Sequence, residues 1–243
     1  MRFFLALFLL LFTAPALAAQ DISVLLVGNS YTLRNNLPGM LEQVAAAAPG
    51  PKITARVAAK NGANLSALWA DKDIRAGIGE DRIDYVVLQE QSFWAMFPEQ
   101  AETTAVAAGD WAKEAMRRDA KLVIFETWAR QPNSFWYTDK RYSFLKTPKN
   151  MREKIAAATA ALAAQVNAPV APVGAAFADA LRDNPKFPLY EADSHHPSTA
   201  GSYLAALVLY KTLTGHSPEE TGFVPQGLNA ETAATLRHIA AGR

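Results

Sequence analysis

The 243-residue chain contains no cysteine. That absence excludes a thiol nucleophile, a thiolate metal centre and any disulfide. Stability must come from a hydrophobic core, which a chain of this size can bury. Histidine is scarce too, and four residues carry all the imidazole chemistry available. Nor is there an excess of charge: lysine and arginine total 24 against 23 for aspartate and glutamate. Such a balance creates no net field to attract nucleic acid or an anionic membrane. No GxGxxG fingerprint and no Walker phosphate loop occurs, and no cofactor is expected. Half of the residues are apolar and 19% are charged, which is a globular composition. The length suits one domain, or at most two.

Long apolar runs are also lacking, except at the start. Arg2 precedes an unbroken run from Phe3 to Phe12, which Thr13 and Pro15 interrupt before Ala16-Leu17-Ala18. This is the layout of a secretory signal peptide over residues 1–18, too short for a comfortable membrane span. Cleavage there predicts an exported, periplasmic or secreted protein, residues 19–243, with no stable membrane anchor.

Within 19–243, short β-branched runs at 22–27 (ISVLLV), 53–59, 83–88 (IDYVVL), 122–125 (LVIF) and 169–173 read as strands. Runs apolar on both faces fit a sheet covered on both sides. Helical patterns lie between them, at 37–48, 65–78, 101–118, 151–166 and 198–213, with Gly215 as a stop. Strand and helix alternate about five times, without repeat or linker. The expectation is one α/β domain, a three-layer α/β/α sandwich around a parallel sheet of about five strands. Sites in such folds form where loops leave the carboxyl ends of the strands. The segments to inspect are therefore 28–30, 61–62, 89–98, 127–130 and the stretch before Ser198.

Two of those segments hold reactive groups. Val27-Gly28-Asn29-Ser30 places a serine just beyond the first strand, after a glycine suited to a tight turn. Ser30 is a nucleophile there, or it merely caps the next helix. Glu191-Ala192-Asp193-Ser194-His195-His196 holds two of the four histidines. Three residues separate Asp193 from His196, so in a compact turn the carboxylate can hold one ring nitrogen while the other takes a serine proton. A metal reading would instead gather Glu191, Asp193, His195 and His196; four near-adjacent residues rarely converge on one ion, and no metal is expected.

In this order the blocks resemble the SGNH (GDSL-like) hydrolase superfamily of esterases and lipases. Gly28-Asn29-Ser30 matches its nucleophile block, Asp193-Ser194-His195-His196 its closing Asp-x-x-His block, and Gly62 in Lys60-Asn61-Gly62-Ala63-Asn64 its glycine block. The resemblance implies a flavodoxin-like sheet and a Ser30–His196–Asp193 triad. It also implies an oxyanion hole from the N–H groups of Ser30 and Gly62 and from an amide side chain. Two positions depart from the pattern. Asn29 stands where aspartate is usual, and the third block reads Leu88-Gln89-Glu90-Gln91-Ser92 where an asparagine is expected. Gln89, which ends the strand, is the preferred donor, with Gln91 as the alternative.

The 131–148 segment carries Phe135, Trp136, Tyr137, Tyr142 and Phe144, and Phe93, Trp94, Met96 and Phe97 form a second apolar loop. Trp94, Trp136 and Tyr137 are expected to contact substrate, although such rings also serve as a satellite core. Arg130, Lys140 and Arg141 are available to an acidic substrate, though charges in a long loop are ordinarily solvated. The predicted function is hydrolysis of a small-molecule or glycan ester, with acetyl the expected acyl group. The alternative is a non-catalytic glycan-binding module on the same scaffold.

Overall fold

A computed structural model of the chain describes residues 20–243, Phe93 excepted. The expected signal segment, 1–18, lies outside the described residues. The strands are β1 (Ile22–Gly28), β2 (Ile53–Ala59), β3 (Tyr85–Leu88), β4 (Lys121–Phe125) and β5 (Val170–Ala171). All neighbours pair in parallel, in the order β2-β1-β3-β4-β5. The helices are α1 (Ser30–Leu33), α2 (Leu37–Ala46), α3 (Leu65–Ala70), α4 (Lys72–Gly77), α5 (Pro98–Arg117), α6 (Pro148–Gln165), α7 (Val173–Asp183), α8 (Thr199–Thr214) and α9 (Ala230–Ala241).

Strand alternation explains the runs that are apolar throughout. Val24, Leu26, Val87, Val123 and Phe125 face a core shared with α2, α7, α8 and α9. Their neighbours Leu25, Val27, Val86, Leu88 and Ile124 face the opposite core, shared with α3, α5 and α6. The inner strands β1, β3 and β4 therefore separate two dry layers along most of their length, where a polar residue on either face would lose water without gaining a partner. The edge strand β2 leaves Thr54 and Val57 exposed. The architecture is the expected α/β/α sandwich, in the flavodoxin-like strand order, whose reversal point lies between β1 and β3.

Where the structure departs from the sequence pattern, the causes are local. The single helix expected over 65–78 is two, because the Asp71 carboxylate accepts from the Asp73 and Ile74 N–H groups and starts a new helix. The last strand is short because α7 begins at Val173, just after Pro172. Helices α7 and α9 were not anticipated. Helix α8 matches its expected position, with Ser198 capping its start and Gly215 ending it.

Candidate active site

The carboxyl ends of β1, β2, β3 and β4 open onto a pocket of about 600 Å³. Its lining includes Asn29, Ser30, Tyr31, Asn61, Gly62, Gln91, Arg130, His195 and His196. The turn after β1 is built for close approach. A Cβ at Gly28 would collide with Thr32 Oγ1 and lie 2.7 Å from Gln89 Oε1. Asn29 is buried, and its two amide atoms do different work: Oδ1 accepts from Tyr31 N at 3.1 Å, and Nδ2 donates to Ala63 O at 3.0 Å. The second bond ties the nucleophile turn to the loop carrying Gly62. An aspartate could not donate it, which accounts for asparagine at this position.

The structure brings Ser30, His196 and Asp193 together across more than 160 positions of sequence. His196 Nε2 lies 2.8 Å from Ser30 Oγ, and His196 Nδ1 lies 2.6 Å from Asp193 Oδ2. Asp193 Oδ1 accepts from the backbone N–H groups of His195 and His196, at 3.0 and 2.9 Å. Burial opposes ionisation of Asp193, but the ring and backbone hydrogen bonds prevail and hold its carboxyl well below the usual range. Both ring nitrogens of His196 are thus engaged by these two partners. Glu191, which the metal reading required, instead pairs with Arg34 at 3.0 Å.

The loop bearing this pair is stitched into place. Glu191 N donates to His196 O at 2.8 Å, and Tyr190 bridges Pro197. The loop after β4 adds three further clamps: Trp128 Nε1 to His195 O at 3.0 Å, Gln131 N to Ser194 O at 3.0 Å and Tyr190 Oη to Ala129 O at 2.7 Å. The Trp128 indole lies between the rings of Tyr31 and Phe177, with centroids 4.5 and 4.2 Å away. Tyr31 presents its ring edge-on to His196 at 5.7 Å, and burial pushes its hydroxyl up to about 12. Asn35, in the left-handed region at φ 52°, donates to Pro197 O and Ser202 Oγ at 2.8 and 2.9 Å. The serine turn and the histidine loop therefore form one hydrogen-bonded body.

The expected amide donor requires a correction. Gln89 does not line the pocket. Its N–H continues the sheet to Val27 O at 2.8 Å, and its carboxamide is buried under the β1 turn. There Oε1 accepts from Asn29 N and Thr32 Oγ1, both at 3.1 Å, while Nε2 donates to Glu90 O. Gln91 does line the pocket, and its side-chain oxygen has no hydrogen-bond partner among the described residues. Gly62, at φ 72°, borders the same space with room on its Cα.

The expected aromatic contacts also fall elsewhere. Trp94 borders a separate small cavity against Ile155, Thr159 and Leu162. Trp136 and Tyr137 pack on a satellite core of Leu145, Met151 and Ile155. The Tyr137 hydroxyl donates to Arg130 O at 2.8 Å. None of the three is among the pocket-lining residues. The pocket instead includes Arg130 and Asn61, from segments the sequence marked for inspection, and Arg34, which it did not single out. Arg130 and Asn61 do sit in strand-end loops, and that placement was the available signal.

A parallel sandwich with a serine and a histidine meeting at its strand ends defines a hydrolase class. No family model and no curated protein matches the sequence. Among solved structures, a Slackia heliotrinireducens protein classed as an SGNH hydrolase is 30% identical, with a TM-score of 0.65 over 79% of this chain and 99% of that one. A DUF4886 family protein from Bacteroides uniformis has a TM-score of 0.72 at 19% identity, covering 91% of this chain and 94% of its own. An acetylxylan esterase from Geobacillus stearothermophilus shares the fold at 15% identity, TM-score 0.55, covering 85% and 96%. The chain belongs to the SGNH (GDSL-like) hydrolase superfamily.

Proposed function

We propose that this SGNH hydrolase is an exported serine esterase that removes acyl groups, acetyl above all, from carbohydrate esters. One observation carries the reading: Ser30 Oγ, the His196 ring and the Asp193 carboxylate form a continuous chain with links of 2.8 and 2.6 Å. In this mechanism Ser30 Oγ attacks the ester carbonyl carbon while His196 Nε2 takes its proton. Asp193 holds the Nδ1–H and balances the imidazolium charge. The N–H groups of Ser30 and Gly62, with the Gln91 carboxamide in the place first assigned to Gln89, receive the oxyanion. Collapse breaks the ester C–O bond, and the departing alkoxide takes the proton from His196. Water then attacks the acyl-serine, with His196 again as base, releasing the acid and restoring Ser30.

Export is supported by the composition of 1–18, a charged residue followed by an apolar run and small residues at 16–18. The acetyl preference is supported by the likeness in fold to an acetylxylan esterase and by a pocket lining in which Leu33 is the one aliphatic side chain among the described residues. The glycan-binding alternative drew on the aromatic loops, where Trp136, Tyr137 and Tyr142 pack on the satellite core of Leu145, Met151 and Ile155 outside the pocket, while Phe135 and Phe144 are exposed. Ser30→Ala should abolish hydrolysis of 4-nitrophenyl acetate while leaving the circular dichroism and Tm of the native protein; retained turnover rejects the assignment.

A further inference from the structure

The near balance of 24 cations and 23 acids over the whole chain conceals a local excess. Between 140 and 154 stand Lys140, Arg141, Lys146, Lys149, Arg152 and Lys154, against Glu153 alone. Two of these cations are neutralised on the spot, Arg141 by Asp139 at 2.6 Å and Lys149 by Glu153 at 2.5 Å. Lys140, Lys146 and Lys154 have no carboxylate partner among the described residues. Lys140 and Lys146 are exposed, and none of the three lines the pocket at Ser30. The same stretch carries the two exposed aromatic side chains of the described residues, Phe135 at 58% and Phe144 at 37%. They lean on an inner layer of rings. Phe135 lies 5.4 Å from Trp136, which lies 3.9 Å from Tyr142, and both of these pack on the satellite core. Phe97 joins Tyr142 at 6.3 Å to Phe144 at 5.3 Å, and Lys154 Nζ sits 5.7 Å from the centre of the Phe144 ring. Apolar tips and unpaired lysines thus share one connected surface, on the segment between β4 and α6.

We propose that this surface docks reversibly on an anionic lipid bilayer. Phe135 and Phe144 enter the headgroup layer, and Lys140, Lys146 and Lys154 meet lipid phosphates. The inference uses no residue of the pocket and stands apart from the esterase reading. Charge and ring type together select this partner. A lysine is a mobile point charge, suited to headgroups that have no fixed pattern. An acidic polysaccharide would call for rings with a hydrogen-bonding edge. Phenylalanine has none, and Trp136 and Tyr142, which do, belong to the inner layer. A second copy of the chain would set like charges against each other. With two rings and three lysines, the attachment is weaker than an anchor and sensitive to salt.

Sedimentation with lipid vesicles tests the proposal, using residues 19–243 so that the apolar run at the start of the chain does not contribute. The native protein should bind vesicles of phosphatidylglycerol mixed with phosphatidylcholine, and not phosphatidylcholine alone. Replacing Lys140, Lys146 and Lys154 together by Gln should weaken binding by about a hundredfold, from the attraction of three lysines to an anionic surface. Phe135→Ser with Phe144→Ser should weaken it by about tenfold. A control with Lys52, Lys72 and Lys113 replaced by Gln, equal in charge and outside the segment, should bind as the native protein does. All three variants should keep the native rate on 4-nitrophenyl acetate. Hydrogen exchange in the native protein locates the surface without any substitution: mixed vesicles should slow exchange within 135–154. Equal losses in the two lysine variants, protection confined to other segments, or no binding to mixed vesicles overturns the inference. So does binding to polygalacturonate in place of vesicles, or a dimer in light scattering that the phenylalanine variant abolishes. Hydrolysis by a protein that ignores vesicles leaves the esterase reading standing and overturns this inference alone.

Discussion

Of the two glutamines after β3, Gln89 holds the β1 turn and Gln91 lines the pocket, where the proposed mechanism uses it as an oxyanion donor. Gln89 accepts from Asn29 N and Thr32 Oγ1, both buried, so Gln89→Leu strands two donors. Each buried unsatisfied group costs about 1–3 kcal/mol, and the variant should show a clearly lower Tm. Gln91→Ala breaks no such bond. Its Tm should stay near the native value while kcat falls by about 10²–10³, the usual loss for one oxyanion donor. Thermal melts and initial rates on the two variants check the division. A full rate in Gln91→Ala, or a Tm loss matching that of Gln89→Leu, would contradict it. The sequence favours Gln89 because it ends the strand, but the same position lets its N–H extend the sheet to Val27 O and its side chain fold under the turn. Where strand pairing ends is decided by β1, not by the run of β-branched residues in β3.

At the scale of elements, the site is assembled by bonds between loops that are distant in sequence. Glu90 is one such clasp. Its Oε1 accepts from Leu65 N at 3.2 Å and Gln91 N at 2.5 Å, and its Oε2 from Thr104 Oγ1 at 2.8 Å, joining β3, α3 and α5. Burial pushes the Glu90 carboxyl up, more than these hydrogen bonds pull it down. A carboxyl raised in the folded state favours folding while protonated, and that contribution is lost as pH rises through the folded value. Glu90→Gln, neutral at every pH, should therefore have a higher Tm than the native protein at pH 7. The gap should close as pH falls toward the ordinary carboxyl range. Melting curves at several pH values test this, and a gap that is constant or reversed contradicts it. The elements themselves were largely legible, since two-sided apolar runs and amphipathic stripes record burial directly. Helices α7 and α9 escaped notice. Alanine fills much of both, as in Ala175, Ala176, Ala178 and Ala180 of α7, and a small apolar residue marks a buried face only weakly. The break at Asp71 was missed because its carboxylate caps the following helix, a choice that hydrophobic periodicity does not register.

For the whole molecule, the order of the blocks along the chain carried more than any block alone. A serine after β1 and a histidine before α8 meet because the parallel sheet delivers its strand ends to one edge. The pairing of Asp193 with His196 was legible because it is local, three residues within one loop. The environment of the aromatic loops was not, because composition gives no direction to a side chain; Trp136, Tyr137 and Tyr142 turned onto Leu145, Met151 and Ile155, while Phe135 and Phe144 stayed exposed. The central claim is that Ser30 is made nucleophilic by the imidazole 2.8 Å away. Incubation of the native protein with a fluorophosphonate, followed by peptide mapping, tests this most directly. The account predicts one covalent adduct, on Ser30, that is lost in Ser30→Ala and strongly slowed in His196→Ala. An adduct on another residue, or none on a folded protein, would contradict it.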